Sequence, residues 1–194
     1  MASATVSSES TAPTREMILA SAARAFARSG YRAATVQAIA ADAGFTPPTV
    51  YAHFGSKQGL FEALVEVLLA DLMSVVGRTL PEGLSLAQRL ELRTRDVLEL
   101  AERQRDVFTL FIVRPYDLPD LQRGDEEELL SLHWERAFAQ HADELGDRTP
   151  REAALLLEGV LYAFVKRWVA SDEDTIAPQA RRIVDLILNG LLSR

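Results

Sequence analysis

Apolar residues recur at helical spacing along nearly the whole of this 194-residue chain. Ile18, Ala22, Ala25 and Phe26 follow the i, i+4, i+7, i+8 pattern, and Phe61, Leu64, Val65, Leu68, Leu69 and Leu72 form a second stripe. Further stripes run through Leu86, Leu90, Val97, Leu98 and Ala101, then Leu129, Leu130, Leu132, Phe138 and Leu145. Near the end, Leu155, Leu161, Tyr162, Val165 and Val169 mark one helix, and Ile183, Leu186, Ile187 and Leu191 mark the last. Breaks fall at Gly30, Gly44, Gly55, Pro81 to Gly83, Pro115 to Pro119, Gly146 to Pro150 and Ser171 to Pro178. No segment alternates convincingly with period two, and no internal repeat is present. The pattern predicts an all-α chain of roughly nine helices.

The first three helices are short and closely spaced, about 14–29, 35–43 and 48–54. Between the second and third stands AGFT, a brief turn containing Gly44, which is the sequence form of a helix-turn-helix. Gly44 suits the position just past a helix end, where φ is often positive. Thr35 and Thr46 fall where N-caps are needed. Pro47 and Pro48 then open a helix without loss, because the first helical N–H groups have no intrahelical partner. Proline after Pro47 disfavours α geometry there, so the helix is expected to begin effectively at Pro48. With Pro48 lacking an N–H, the Thr46 side chain is expected to cap the amide of Thr49. The tip this leaves is rigid and apolar, suited to a thymine methyl or a sugar.

Behind the tip lie Thr49, Tyr51, Ala52 and His53, followed by Gly55, Ser56 as the next N-cap, and Lys57. Tyr and His can donate hydrogen bonds to phosphate oxygens, and a helix N-terminus carrying Lys suits a phosphate. Phe54 continues the spacing of Val50 and reads as core, whereas Tyr51 points elsewhere and reads as a DNA contact.

Charge sharpens this division. Residues 1–60 carry five basic and three acidic side chains, against sixteen and twenty-five in the other 134, so a chain of net charge −7 has a mildly basic end. That end points to a phosphate backbone. Cysteine is absent, which removes disulfides and thiolate metal sites and fits a reducing cytoplasm. Residues 1–13, rich in Ser, Thr and Ala, lack the pattern of a secretory signal and read as a disordered tail. No apolar run is long enough to span a membrane. The expected organisation is therefore a tail at 1–13, a DNA-binding unit at 14–60 and a helical body at 61–194.

The stretch from TREMILASAARAF to QGLF resembles the N-terminal domain of the TetR (tetracycline repressor) family of bacterial regulators. The matching features are Phe26, Gly30-Tyr31, Thr35, Ile39-Ala40, Ala43-Gly44, Thr49-Val50-Tyr51, Phe54, Ser56-Lys57 and Leu60, in order. The resemblance implies a homodimer on a palindromic double-stranded DNA operator, with a small-molecule effector bound in the C-terminal helices. Carried over position by position, it implies DNA contacts at Thr35, Thr46, Thr49, Tyr51, His53 and Lys57, beside Pro47 and Pro48 at the tip. The chain departs from the family where Pro47-Pro48 replaces a basic or polar residue followed by Gly, and where Gln58-Gly59 replaces a more usual acidic helix start.

In the body, the last two long helices, about 150–170 and 176–192, carry small residues at Ala153, Ala154, Gly159, Ala163 and Gly190 that permit close approach. They are the expected dimer interface. Aromatic residues gather between 108 and 168, including Tyr116, and Phe108, Phe111, Trp134, Phe138, Tyr162 and Trp168 are candidate ligand contacts. Each has core packing as its alternative. Glu158 falls on an apolar stripe, where a carboxylate demands a partner, and Arg114, Arg136 and His133 are further candidates.

Neither a nucleotide-binding Gly-rich loop, nor a Gly-x-Ser-x-Gly elbow, nor a His-Glu-x-x-His zinc pattern occurs. No enzyme activity, cofactor or metal is expected. The functional expectation is a ligand-responsive regulator, a repressor released by its effector. Its rival is an all-α ligand-binding or dimeric scaffold protein whose N-terminal unit does not read an operator.

Overall fold

The computed structural model describes residues 11–113 and 124–190, which form nine α-helices and no strand among the described residues. Most of the expected tail, the break at Pro115 to Pro119 with Arg114 and Tyr116, and Leu191 lie outside them. Helix α1 (Thr11–Ser29) begins three residues earlier than its apolar stripe predicts. Pro13 sits in its first turn, where a missing N–H costs nothing.

Helix α2 (Val36–Ala43) packs on α1, α3 (Pro47–Phe54) packs on α2 and α4, and α4 (Lys57–Gly77) leaves this cluster for the body. Their shared core is Ile18, Ala22 and Phe26 from α1, Ile39 and Ala40 from α2, Val50 from α3, and Leu60 and Phe61 from α4, all almost fully buried. Arg24 ties α1 to α2 by bonding Asp42 at 2.6 Å, and that bond, with a second from Ser21, holds the Asp42 carboxyl below its ordinary pKa.

The body holds α5 (Leu86–Arg103), α6 (Arg105–Val113), α7 (Gly124–Ala139), α8 (Pro150–Val169) and α9 (Ala180–Asn189). Two of these start with reciprocal caps, Ser85 with Gln88 and Thr149 with Glu152. Helix α9 starts later than expected, because Ala177–Gln179 forms a 3-10 turn around Pro178. Glu102 on α5 fixes that turn by accepting the amides of Ile176 and Ala177. Arg105 finishes α8: its guanidinium donates to the carbonyls of Trp168 and Glu173 at 3.1 and 2.7 Å and lies 4.4 Å from the Trp168 ring. It thereby satisfies acceptors that a helix end leaves open.

An aromatic line joins the helix-turn-helix to α6. Phe26, Tyr31 and Phe61 pack with ring centroids 5.2–6.1 Å apart, and Phe61 lies 5.8 Å from Phe111 of α6. Helix α6 also packs along α1, so the body touches the helix-turn-helix through both α4 and α6.

Candidate nucleic-acid interface

The turn between α2 and α3 is set by local chemistry. Gly44 has φ 77° and ψ 22°, the left-handed region that glycine occupies without steric cost. Its amide bonds Ala41 O at 3.2 Å and that of Phe45 bonds Ala40 O at 2.8 Å, which is the Schellman arrangement. Thr35 caps α2 as expected, accepting from the Ala38 amide at 3.2 Å.

Helix α3 begins at Pro47 itself, so the steric objection to consecutive prolines does not delay it. The expected Thr46 cap takes a different form. Its hydroxyl lies 3.0 Å from the Thr49 hydroxyl rather than capping the Thr49 amide, which bonds the Thr46 carbonyl at 3.0 Å. The two threonines thus present a linked pair of hydroxyls at the helix tip, beside the exposed Pro48.

One face of α3 is held and the other is bare. Val50 is 1% exposed in the core, Phe54 is half-buried with the Arg15 guanidinium 5.4 Å from its ring, and Tyr51 is 45% exposed. Phe54 therefore packs as expected, and Tyr51 faces away from the core. His53 is half-buried with its ring 6.1 Å from that of Phe54. Ser56 caps α4 by accepting the Gly59 amide at 2.9 Å.

Lys57 has internal work that its sequence position does not reveal. Its Nζ donates to Arg32 O at 3.0 Å and lies 4.6 Å from the Tyr31 ring centroid, tying the start of α4 to the α1–α2 loop. Gly59, noticed in the sequence only as an unusual helix start, stands where a Cβ would fall 2.2 Å from Phe54 O. Glycine at that step was the available signal.

The candidate ligand residues do not form one group. Trp134 and Phe138 are fully buried in the core, while Phe108 and Phe111 are half-buried against it. Trp168 lies under Arg105 and borders a small cavity of about 90 Å³ with Phe164, Arg167 and Glu173. Tyr162 is 47% exposed on α8, with Lys166 over its ring. Glu158 is half-buried and accepts from Ser131 Oγ at 3.4 Å, between α8 and α7. The small residues divide as well: Ala153 and Ala154 are buried within the monomer, whereas Gly159 and Ala163 are exposed.

Residues 18–64 match the profile of a family described as bacterial regulatory proteins, tetR family. Over 179 residues the chain is 25% identical to YvkB of Bacillus subtilis, an uncharacterized HTH-type transcriptional regulator, covering 88% of this chain and 92% of that one. In fold it is similar to the TetR-family regulator PfmR from Thermus thermophilus, with TM-score 0.74, 22% identity and 90% and 98% of the two chains covered. FadR from Bacillus subtilis, solved in complex with stearoyl-CoA, has TM-score 0.76 at 16% identity, with 91% and 99% covered. Fold and motif together define an all-α DNA-binding protein of the helix-turn-helix class. Residues 18–64 carry the DNA-binding segment of the TetR family, and the chain as a whole is similar to HTH-type transcriptional regulators.

Proposed function

We propose that this chain acts as a homodimeric repressor that binds a palindromic operator and leaves it when a small molecule binds the helical body. In this reading residues 14–60 are the DNA-binding unit and residues 61–194 the effector and dimerisation unit. The observation that carries it is the bare face of α3, with the Thr46–Thr49 hydroxyl pair, Pro48 and Tyr51 turned from a core that Val50 and Phe54 anchor. In this reading Thr35, His53 and Lys57 add contacts to phosphate that would fix register. Two such helices in successive major grooves would lie about 34–36 Å apart.

Dimerisation is supported by the outer face of α8. Leu155 is 54% and Leu156 49% exposed, and Gly159, Tyr162 and Ala163 continue this face one and two turns on. An apolar helix stripe open to water is best covered by a second copy, and small residues within it let two helices approach. Release by an effector would work through linkage: a ligand that prefers one arrangement of the body shifts the spacing of the two reading helices. Helix α4, about 31 Å long, touches α1 and α3 at one end and α5 and α7 at the other, and could carry that shift.

The deciding experiment selects binding sites for the purified protein from random DNA, then measures affinity across a salt series with unrelated DNA as competitor. Saturable binding of two protomers to a two-fold symmetric site, steeply weakened by salt, is the expected result. Binding no tighter than to competitor would overturn the operator reading and favour the ligand-binding scaffold. Stearoyl-CoA, the ligand in the Bacillus subtilis FadR structure, is a reasonable first compound to add to the complex.

A further inference from the structure

Two arginines of α5, an arginine and a histidine of α7, and the glutamine after it converge on a cavity of about 200 Å³. It opens between the segment after α4, the start of α5 and the last turns of α7, with Leu86 and Leu90 forming an apolar wall. The polar lining is Arg89, Arg93, His133, Arg136 and Gln140. Among the described residues no carboxylate lines it.

The positive groups crowd one another. Burial lowers the Arg93 pKa, and Arg78 and Arg89 lower it further, with Asp96 opposing them. Asp96 is itself bonded by Arg78. Burial likewise pushes His133 down, helped by Arg93 and Arg136 and opposed by a bond to the Val76 carbonyl. Among the described residues, none of Arg89, Arg93 and Arg136 is ion-paired.

Helix capping explains part of the arrangement. Arg93 donates to the carbonyls of Val76 and Arg78 at the end of α4, and Arg89 donates to that of Leu84 at 3.1 Å. Each guanidinium has five N–H donors, more than these bonds use. Arg136 has no such task, since its side chain makes no hydrogen bond or ion pair among the described residues. Capping of α4 therefore accounts for Arg93 and for His133, which bonds the Val76 carbonyl, but not for Arg136 beside them.

We propose that this cavity binds an organic anion, its carboxylate or phosphate head held by Arg89, Arg93 and Arg136 and its apolar stem lying on Leu86 and Leu90. A dry cavity of about 150 Å³ accepts benzene, so a stem of one ring or a short chain fits here. Such an anion also relieves the like-charge crowding, which supplies binding energy that a neutral ligand of the same shape lacks. The proposal rests on the effector-responsive reading only in naming the chemical class of the effector.

The test is calorimetry on the full-length protein, without DNA, using benzoate, phenyl phosphate, inorganic phosphate and benzylamine. One of the two aromatic anions is expected to bind at least tenfold tighter than benzylamine and inorganic phosphate, and the better one identifies the head group. Arg136→Gln, at the exposed mouth, and Arg89→Gln are each expected to weaken it about tenfold, with circular dichroism and operator affinity unchanged. Equal binding of benzylamine, equal affinity in both variants, or no binding of either aromatic anion at millimolar concentration would overturn the proposal. If operator binding survives in that case, the regulator reading stands and only the anion site falls.

Discussion

Gly59 and Phe54 meet across the α3–α4 turn so closely that a Cβ on Gly59 would sit 2.2 Å from the Phe54 carbonyl oxygen. That oxygen also accepts the Ser56 amide at 2.8 Å, and the Gly59 amide bonds Ser56 Oγ. The contact fixes the angle at which α3 leaves α4, and so where Tyr51 points.

Gly59→Ala is therefore expected to destabilise the protein by about 1–3 kcal/mol, the usual range for overpacking. The clash is with backbone, which cannot rotate away as a side chain can. Operator affinity should fall more than the stability loss alone explains, because α3 is re-aimed. Thermal denaturation beside DNA binding checks this, and an unchanged melting temperature would show that the turn can relax.

Tyr51 and Lys57 separate DNA contact from internal support. Tyr51→Phe removes only a hydroxyl from an exposed ring, so stability should stay within about 0.5 kcal/mol while operator affinity drops roughly five- to tenfold. Lys57→Met loses the bond to Arg32 O and the contact with the Tyr31 ring, and should cost about 1 kcal/mol of stability. If Lys57 also neutralises a phosphate, the salt slope of binding falls by about 1 in the variant. Stability lost with an unchanged slope would assign Lys57 to the tether alone.

The dimer is tested at Gly159, where a Cβ would meet nothing within 4 Å in the monomer. Gly159→Leu should leave helix content intact, since leucine is a better helix former than glycine. A partner helix packed on this face would have no room for the side chain, so the variant should sediment as a monomer. Dimer retained at micromolar concentration would place the interface elsewhere.

His133 gives a pH dependence with a definite sign. Its pKa in the folded state is lowered, chiefly by burial and then by Arg93 and Arg136, so the unfolded chain takes up the proton first as pH falls. Stability present above the unfolded pKa of about 6.5 is lost as pH drops towards the lower folded value. Melting temperature should decline between pH 7.5 and 5.5, and decline less in His133→Gln. A ligand anion in the cavity should reduce the decline, by stabilising the imidazolium.

The helix-turn-helix was legible because its determinants are local. The Gly44 stop, the Thr35 and Ser56 caps, the prolines in the first turn of α3 and the inward spacing of Val50 and Phe54 all act within a few residues. The capping boxes at Ser85-Gln88 and Thr149-Glu152 are equally local signals, a Ser or Thr followed three residues on by Gln or Glu. The Thr46 side chain took the Thr49 hydroxyl because the backbone carbonyl of Thr46 already held the amide.

By itself, then, the sequence determined the all-α class, the order of the helices, the helix-turn-helix and the face of α3 that stays bare. Tertiary structure decided what depends on distant neighbours. Lys57 bends towards a carbonyl 25 positions earlier, and Arg93 and His133 both reach Val76 from other helices. Tyr162 and Trp168 share α8 yet end on opposite terms with water, because α6 brings Arg105 over one and the other stays exposed. Helical periodicity says which residues share a face, but only packing says whether that face meets core, cavity or solvent.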